Sequence, residues 1–307
     1  MEKVLVTGGA GFIGSHLTDK LIEKGYSVVV IDNLSTGSKK NLNAKAKFYK
    51  ADIKDKKISN IFSKEKPDIV FHLAAQINVR KSVENPIEDA ENNILGGLNI
   101  LENCKNFGVK KIIFSSTGGA IYGDASVVPT PESYIEYPMS PYGIAKLTTE
   151  KYLNYYHKIF NLPFIALRFA NVYGPRQNSK GEAGVISIFC DKIFSNAQPV
   201  INGYGLQTRD FVYVLDVVGA LILAMESPKT GIFNVGTSKE TNINDIFSII
   251  KKESGFAGQA LYAPAQKGEQ QRSCLDYSKI KAELDWSPKY DLEAGLKETV
   301  SWFKNHK

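Results

Sequence analysis

Cysteine is scarce in this sequence, and its three copies, Cys104, Cys190 and Cys274, are odd in number and widely spaced. A disulfide framework has an even set, and a metal site has close, regular spacing. The four histidines are equally dispersed. We therefore predict reduced cysteines that serve as packing residues, and no metal site.

Long apolar runs and clusters of positive charge are missing as well. No stretch reaches the roughly 20 apolar residues of a membrane-spanning helix, and the first residues lead straight into a predicted strand without a signal-peptide pattern. The net charge of +6 is modest, and no basic run is longer than a Lys-Lys pair. Nucleic-acid binding favours a basic stripe. We expect a cytoplasmic protein with no nucleic-acid or membrane partner, whose mild positive charge suits an anionic substrate.

Strand and helix patterns alternate along the first part of the chain. A length of 307 residues allows one large domain or two intertwined ones. The alternation predicts an α/β fold with a Rossmann-type, doubly wound parallel sheet in residues 1–170. Residues 171–307 contain more turns and predict a smaller mixed α/β lobe over the carboxyl edge of the sheet, with some C-terminal segments returning to the first domain.

Glycines recur at every third position directly after the first predicted strand, Val4 to Val6. In a dinucleotide site, Gly8 would permit the tight turn, Gly11 the approach of a pyrophosphate, and Gly14 close packing of the helix on the strand. The N-terminus of that helix would attract the phosphates. Taken alone, the triplet is equally typical of a strand-to-helix turn that uses glycine for steric reasons.

Asp32 makes the dinucleotide interpretation more specific. It ends a second apolar strand, Ser27 to Ile31, at the place where an acid binds the adenosine ribose hydroxyls. Its charge would repel a 2′-phosphate, and no arginine follows closely to accept one. Lys39 and Lys40 are assigned to a solvated loop. We therefore predict an NAD site, with NADP disfavoured.

Two further strand ends offer residues to the same edge of the sheet. Asp52 and Ile53 follow a short strand near Lys47 to Lys50, where an adenine could lie, although Asp52 is also placed to cap the next helix. Ala74 and Ala75 follow the fourth strand, and small residues there let a ligand lie against the backbone. Both positions suit the switch point of a doubly wound sheet.

Hydroxyl-bearing residues end the fifth predicted strand, Lys111 to Ser115. Ser115, Ser116 and Thr117 precede two glycines. The segment is typical of a turn with local side-chain caps. Alternatively, it places a hydroxyl to hydrogen-bond a reacting sugar oxygen.

Tyr142 and Lys146 follow a helix start in which Ser140 is the cap and Pro141 the first helical residue. Residues four apart share one face of a helix. An ammonium beside a phenol favours the phenolate and lowers the tyrosine pKa from about 10, which makes a competent proton-transfer pair. The spacing also arises by chance, and we assign its second occurrence, Tyr277 with Lys281, to a solvated surface pair.

Arg209 stands in the most distinctive stretch of the second lobe, residues 207–213. A guanidinium there could hold a phosphate bidentately. The alternative is a structural pair with its neighbour Asp210.

These motifs occur in one order along nearly the whole chain. They are residues 7–14, residues 32–34, residues 72–75, the Ser-Ser-Thr segment, Tyr142-x-x-x-Lys146, residues 168–176 and residues 207–214. In this set the chain resembles the extended short-chain dehydrogenase/reductases, and among them most closely the UDP-glucose 4-epimerases.

The resemblance implies an NAD-dependent isomerase that interconverts UDP-glucose and UDP-galactose through a transient 4-keto sugar and bound NADH. Tyr142 would remove the proton of the sugar 4-hydroxyl, Lys146 would hold the nicotinamide ribose and tune Tyr142, and Thr117 would bind the same sugar oxygen. Related dehydratases carry Thr-Asp-Glu in the hydroxyl segment, whereas Gly118 and Gly119 follow Thr117 here. The missing carboxylates favour epimerisation.

The resemblance also implies binding roles. Asn171 and Arg209 would hold the UDP diphosphate, Val185 would lie near the nucleotide, and Asn93 would support the geometry of the catalytic helix. Besides the glycines and Asp32, the implied NAD-binding residues are Phe12, Ile13, Asn33, Asp52, Ile53, Leu73, Ala74, Ala75, Asn93, Ser115, Tyr142 and Lys146. A homodimer through the two long helices beside the fourth to sixth strands is expected from the family.

Two substrate positions depart from the family pattern. Gln266 stands where the family usually has an arginine on the diphosphate, and Lys267 or Arg272 are candidates to take its place. Ser273 stands where some members have a bulky tyrosine, which predicts room for a 2-acetamido group and therefore for UDP-GlcNAc and UDP-GalNAc.

Two other functions stay open. A UDP-glucuronate epimerase or decarboxylase on the same scaffold would differ in which sugar carboxylate the second lobe accepts. A non-catalytic NAD-sensing protein would have no need of the set formed by Thr117, Tyr142 and Lys146.

Overall fold

A computed structural model describes residues 2–179, 184–265 and 270–306. The strands in these ranges are β1 Lys3–Thr7, β2 Ser27–Asp32, β3 Lys47–Lys50, β4 Ile69–His72, β5 Lys111–Thr117, β6 Phe164–Phe169, β7 Asn171–Tyr173, β8 Val200–Asn202, β9 Thr208–Arg209, β10 Phe211–Tyr213, β11 Gly231–Val235, β12 Thr241–Asn242, β13 Leu261–Ala263 and β14 Arg272–Ser273. The helices there are α1 Phe12–Glu23, α2 Ile58–Glu65, α3 Val79–Glu84, α4 Pro86–Ala90, α5 Gly96–Asn106, α6 Gly118–Ile121, α7 Pro141–Phe160, α8 Val185–Phe194, α9 Val214–Glu226, α10 Ile243–Ser254, α11 Ser278–Leu284 and α12 Leu292–Asn305. A 3₁₀ turn covers Lys39–Asn41, and a π-helical turn, Glu91–Leu95, joins α4 to α5.

The described residues form a seven-stranded parallel sheet in the order β11-β6-β5-β4-β1-β2-β3. Val4 of β1 pairs with Val28 of β2 on one side and with Ile69 of β4 on the other. The strand order therefore reverses at β1, and a crevice opens at that point along the carboxyl edge. The predicted α/β doubly wound sheet is confirmed.

Alternation of side chains along the strands builds two cores, one on each face of the sheet. Val4 and Val6 of β1 contact α1 and α9, where Leu17, Leu21, Val217 and Leu221 are buried. Leu5 points to the opposite face, into a cluster with Phe62, Ile100 and Leu153 from α2, α5 and α7. Because both faces are covered, the strands read as nearly continuous apolar runs.

Segments beyond residue 170 contribute to both parts of the molecule. β11 pairs with β6 in the main sheet, and α9 packs against α1. The helices α8, α10 and α12 form a third core around Phe189, Phe247 and Phe303. The division at residue 170 stays a prediction.

Local sequence signals place the helix that carries Tyr142. The hydroxyl of Ser140 accepts the backbone N–H of Gly143 at 3.1 Å, and Pro141 is the first helical residue, as predicted. Between α4 and α5 the regular α-helical pattern is interrupted by the π-helical turn at Glu91–Leu95. π-helical turns are rare in proteins, and those that occur are often found at functional sites.

Tyr277 differs from its predicted surface position. Its ring is half-buried and stands edge-on to Trp286, with ring centroids 5.9 Å apart. Only Lys281 is exposed. The solvated-pair interpretation is therefore wrong for the tyrosine, because the indole of Trp286, which follows α11, packs back against it.

The three cysteines are free and buried. Burial raises the pKa of the Cys190 thiol to about 12, so it is not a reactive thiolate. They are packing residues, as predicted. Among the described helices, none combines the length and the apolar character that crossing a bilayer requires.

Candidate active site

A cavity of about 690 Å³ lies at the carboxyl ends of β1, β2, β4 and β5. It contains nearly all of the predicted catalytic and NAD-binding residues: Gly8, Gly11, Phe12, Ile13, Gly14, Asp32, Asn33, Asp52, Ile53, Leu73, Ala74, Ala75, Ser115, Thr117, Tyr142 and Lys146. These residues are spread over about half of the chain. The switch point of the sheet brings them together.

Each of the three positions in the first turn requires glycine for a different steric reason. Gly8 has φ +74°, and a Cβ on it would lie 2.8 Å from the backbone N of Ala74. A Cβ on Gly14 would lie 2.2 Å from the carbonyl oxygen of Gly8, so the helix could not pack on the turn. A Cβ on Gly11 would lie 3.1 Å from the same oxygen, and apart from the residues next to Gly11 no other atom of the described residues would lie within 4 Å. The space beside Gly11 is therefore open towards the cavity, which fits the phosphates of a dinucleotide.

Asp32 is held rigidly at the cavity wall. Its carboxylate is 7% exposed and accepts the backbone N–H groups of Ala10 at 3.0 Å and Leu34 at 2.7 Å. An ionised carboxylate has further lone pairs for ribose hydroxyls. Lys39 and Lys40 lie in the exposed 3₁₀ turn, as predicted.

Asp52 does not cap a helix. Its Oδ1 accepts the backbone N–H of Lys54 at 2.9 Å, and α2 begins only at Ile58. Its Oδ2 accepts the side-chain N–H of Asn33 at 2.9 Å, which ties the ends of β2 and β3 together at the cavity rim. The capping interpretation is wrong, because an irregular turn of five residues separates Asp52 from the helix.

The side chain of Lys146 reaches from α7 to the end of β5. It is 3% exposed, and its Nζ donates to the carbonyl oxygen of Ser115 at 2.8 Å. The same Nζ lies 4.7 Å from the ring centroid of Phe114 and 5.8 Å from that of Tyr142. One ammonium therefore contacts the hydroxyl-bearing strand end and the phenol ring, as the shared helix face predicts.

Burial governs the charge of Lys146. It lowers the pKa of the amine to about 8, while the carboxylates of Asp89 and Glu150 act in the opposite direction. The group therefore stays largely protonated at neutral pH. A buried cation beside a phenol stabilises the phenolate.

Ser116 and Thr117 extend β5 by two residues beyond its predicted end, and α6 follows directly. Thr117 makes no side-chain cap hydrogen bond to this helix. The local-cap alternative is therefore not what the structure has at Thr117, which lines the cavity. Ser116 donates its hydroxyl to Glu150 at 2.5 Å instead.

Asn93 lies behind the cavity wall, not on it. Its side chain is buried. Its Oδ1 accepts the backbone N–H of Gln76 and its Nδ2 donates to the backbone carbonyl of Gln76, both at 2.9 Å. The backbone carbonyl oxygen of Asn93 accepts the hydroxyl of Thr149 on α7 at 3.2 Å. Its supporting role for the catalytic helix stays a prediction that this geometry suits.

Asn171, Arg209 and Ser273 come together around Asp210. The backbone N–H of Asn171 donates to the carbonyl of Asp210 at 2.9 Å, and the N–H of Asp210 donates to that of Ser273 at 2.8 Å. Ser273 is the pairing partner of Arg209 in the β9–β14 ladder. Val185, the first residue of α8, follows Gly184 at the cavity rim.

Asp210 is not a partner for Arg209. Its buried carboxylate accepts the backbone N–H groups of Thr237 at 2.9 Å, Ser238 at 3.3 Å and Leu275 at 3.2 Å. In the described residues no hydrogen bond joins it to the guanidinium of Arg209, so the structural-pair alternative is wrong. The four predicted substrate residues Asn171, Val185, Arg209 and Ser273 do not line the described cavity, and Gln266 lies outside the described residues.

Several residues of the cavity wall escaped the sequence analysis. They lie in loops and short helices just beyond the recognised strand ends: Ser35, Thr36, Asn41, Lys54, Gln76, Ile77, Asn78, Lys81, Glu88, Asn92, Arg176, Gln177 and Asn178. Gln76 follows Ala75 directly, and Arg176 ends the motif at residues 168–176. Extending the motif at residues 72–75 by one residue would have found Gln76, whereas Arg176 already belongs to a recognised motif and lacked only an assigned role.

His72, at the end of β4, is buried, and its burial should make the stability of the protein depend on pH. Its ring is 2% exposed and its Nδ1 lies 2.8 Å from the hydroxyl of Thr7. Burial, with a smaller effect from Lys146, lowers its pKa to about 3, whereas an unfolded histidine titrates near 6.5. Between these values the unfolded state binds the additional proton, so the free energy of unfolding falls as pH falls.

From pH 6.5 downwards, we expect His72 to cost about 1.4 kcal/mol of stability per pH unit, or about 2 kcal/mol at pH 5. Urea unfolding at pH 7 and pH 5 measures this. A His72→Gln variant cannot take up the proton, so its stability should decline less over this interval. Equal declines in the two proteins would contradict the burial argument.

Comparison with known proteins agrees with this geometry. Residues 4–236 match the NAD dependent epimerase/dehydratase family. The chain is 50% identical over 303 residues to a putative UDP-glucose 4-epimerase of Methanocaldococcus jannaschii, with 99% of both chains covered.

Two solved structures are similar over the whole chain. One is a UDP-glucose 4-epimerase of Thermotoga maritima with UDP-glucose, with a TM-score of 0.97, 51% identity and 99% of both chains covered. The other is a UDP-N-acetylglucosamine 4-epimerase of Methanobrevibacter ruminantium in complex with UDP-N-acetylmuramic acid, with a TM-score of 0.95, 39% identity, and 100% of this chain and 99% of that chain covered. Because residues 4–236 match the family and relatives that are about half identical cover the whole chain, the chain belongs to the NAD dependent epimerase/dehydratase family.

Proposed function

We propose that the protein is an NAD-dependent nucleotide-sugar 4-epimerase that interconverts UDP-glucose and UDP-galactose. The observation that carries this proposal is one cavity lined both by the glycine turn of a dinucleotide site and by Thr117, Tyr142 and Lys146. The chain's similarity to UDP-glucose 4-epimerases supports the choice of substrate. The hydroxyl segment, residues 115–119, carries no carboxylate for elimination chemistry.

The residues of this chain divide the work as follows. The turn with Gly8, Gly11 and Gly14 holds the pyrophosphate of NAD, and Asp32 holds the adenosine ribose. Lys146 binds the nicotinamide ribose. When bound, NAD supplies reversible two-electron redox chemistry at C4 of the sugar and is regenerated in each cycle.

Proton transfer is the task of the Tyr142 phenol. Its oxygen, ionised with the help of the Lys146 ammonium, accepts the proton of the sugar 4-hydroxyl and returns it to the same oxygen after the sugar has turned over. Thr117 hydrogen-bonds that sugar oxygen. Asn171 and Arg209 hold the diphosphate, with Val185 beside the nucleotide.

Proton NMR of the purified protein with UDP-galactose, without added NAD, tests the function. We expect the signals of UDP-glucose to appear, which would establish both the reaction and a retained cofactor. If they appear only after NAD is added, the reaction holds and the cofactor dissociates. No turnover even with NAD would contradict the proposal, and UDP-glucuronate would then be the first alternative substrate.

We also propose that UDP-GlcNAc and UDP-GalNAc are substrates. Ser273 is small and 9% exposed, and it lies beside Arg209 in the β-ladder. The similarity to a UDP-N-acetylglucosamine 4-epimerase supports this extension.

A Ser273→Tyr variant should lose kcat/KM for UDP-GalNAc at least about tenfold more than for UDP-galactose, because the added ring would fill the space for the acetamido group. The matched control is Ser301→Tyr on the exposed face of α12. It should leave both substrates unaffected. Equal losses for both substrates in the Ser273 variant would count against the proposal.

A homodimer through α4, the π-helical turn, α5 and α7 is part of the same proposal. Apolar side chains on these helices are strongly exposed, with Ile87 at 72%, Leu95 at 57% and Ile159 at 58%. An apolar surface of this kind marks an interaction site. Light scattering should give a dimer mass that an Ile159→Glu variant halves. A cytoplasmic location is also proposed, and the free cysteines support it.

A further inference from the structure

Asp89, on α4, is a buried carboxylate whose two oxygens have different surroundings. The residue is 1% exposed. Its Oδ1 accepts the side-chain N–H groups of Gln76 and Asn93, both at 2.9 Å. Its Oδ2 is buried and has no hydrogen-bond partner in the described residues. No lysine or arginine of that part of the chain forms an ion pair with it.

The bonds of Asp89 connect the cavity wall to the catalytic helix. The side chain of Asn93 bonds the backbone N–H and the backbone carbonyl of Gln76, a residue of the cavity wall. The backbone carbonyl of Asn93 accepts the hydroxyl of Thr149 on α7. Gln76 also bonds Asn78 through its side chain. Because Asp89 accepts from both amides at once, it fixes the orientation of Gln76 and Asn93. The loop after β4 is thereby attached to the helix of Tyr142 and Lys146.

Four titratable groups act on Lys146 from the elements around it. Tyr142 and Glu150 lie on its own helix, Asp89 on α4 and His72 on β4. The Glu150 carboxylate is already paired with the buried guanidinium of Arg168, and His72 is neutral at neutral pH. Of the two carboxylates that favour the charged form of Lys146, Asp89 is therefore the one without an ion-pair partner in the described residues, and it is joined to the helix of Lys146 through Asn93 and Thr149.

We propose that Asp89 is a positioning residue that holds the loop after β4 against the catalytic helix and whose negative charge keeps Lys146 protonated. The inference rests on the roles proposed above for Tyr142 and Lys146. Burial raises the pKa of Asp89 and lowers that of Lys146, and each group favours the charged form of the other. Proton transfer at Tyr142 thus depends on a carboxylate outside the cavity.

An Asp89→Asn variant separates charge from position. The amide keeps an oxygen for the two bonds at Oδ1, and its NH₂ replaces an atom that has no partner. The matched control is Glu84→Gln, which removes one negative charge from the exposed surface of α3. The readout is the titration midpoint of Lys146 in the holoenzyme, followed by ¹³Cε NMR with lysine labelling and assigned with Lys146→Met.

We expect the midpoint of Lys146 to fall by about one pH unit in Asp89→Asn and to stay at the wild-type value in Glu84→Gln. The alkaline limb of kcat should move to lower pH by the same amount, with KM for the sugar unchanged. Coinciding midpoints for wild type and Asp89→Asn would overturn the proposal.

A measurement on the wild type covers the case in which the variant does not fold. The ¹³Cγ shift of Asp89 should report an ionised carboxylate at pH 7, and a protonated one would overturn the proposal. Neither NMR titration needs substrate. A shifted midpoint in a protein that does not turn over UDP-galactose would therefore defeat only the proposed function. Unshifted midpoints with turnover intact would defeat only the role of Asp89.

Discussion

A Tyr142→Phe variant is expected to lose about 10²–10⁴-fold in kcat. The phenol oxygen is the proposed proton acceptor, and the Nζ of Lys146 lies 5.8 Å from the ring centroid. Phenylalanine keeps the ring, and the helix that carries it is fixed by the Ser140 cap. KM and retention of NAD should therefore change little. Steady-state kinetics with UDP-galactose, together with the NAD content after purification, measure both.

The chain supplies a matched control for this substitution. Tyr277 with Lys281 has the same sequence spacing, but its ring packs against Trp286 and does not line the described cavity. Tyr277→Phe should leave kcat near the wild-type value. If Tyr142→Phe kept more than about a tenth of the activity, Tyr142 would not be the proton acceptor.

Loss of the Arg168 guanidinium is expected to have the largest effect on stability. Arg168 is fully buried and donates to Glu150 at 3.0 and 2.6 Å, to Tyr122 at 2.8 Å and to Glu136 at 2.8 Å. An Arg168→Met variant would leave the buried Glu150 carboxylate without its cation. Removal of one partner of a buried ion pair costs about 3–5 kcal/mol. Urea unfolding at pH 7 measures the loss.

Two further variants decide whether the unpaired charge is the cause. The double variant Arg168→Met, Glu150→Gln should be more stable than Arg168→Met alone, because the uncompensated carboxylate is gone. Arg272→Met breaks an exposed pair with Glu240 and should leave the urea midpoint nearly unchanged. Equal midpoints for Arg168→Met and the double variant would show that lost packing, not charge, causes the instability.

The Arg168 network also bears on the active site. Glu150 accepts the hydroxyl of Ser116, the residue before Thr117. The double variant keeps an acceptor at position 150, whereas the single variant leaves a charged carboxylate free to move. An ion pair that lies outside the cavity therefore anchors the residue next to Thr117.

Much of the fold could be predicted because its signals are local. The apolar runs of β1 and β2, the glycines of the first turn and Asp32 lie within 32 residues, and each has a steric or electrostatic reason that holds within a βαβ unit. The Ser140 cap and the four-residue spacing of Tyr142 and Lys146 follow from helix geometry. The order of the strands along the chain then places their carboxyl ends at one edge.

Other parts of the site depend on contacts between distant residues. The sequence leaves Asp52 open between a helix cap and the cavity rim. The structure places it at the rim, because the helix begins only at Ile58 and the side chain of Asn33 donates to its carboxylate. The sequence spacing predicts a surface position for Tyr277, because no local signal shows that the chain after α11 folds back and brings Trp286 against its ring. Asp210 had an apparent partner in its neighbour Arg209, but its bonds go to Thr237, Ser238 and Leu275.

The sequence by itself therefore determined the α/β class, and it predicted which residues form the proposed NAD site and the proposed proton-transfer pair, because short-range spacing on a strand end or a helix face places those groups. Only the tertiary structure decided what holds them. Glu150, Asp89 and Asp210 are buried carboxylates. Their partners are Arg168 for the first, Gln76 and Asn93 for the second, and two loops, at residues 237–238 and at residue 275, for the third. Once a carboxylate is buried it must find partners, and which ones are in reach depends on which strands and helices the fold makes neighbours.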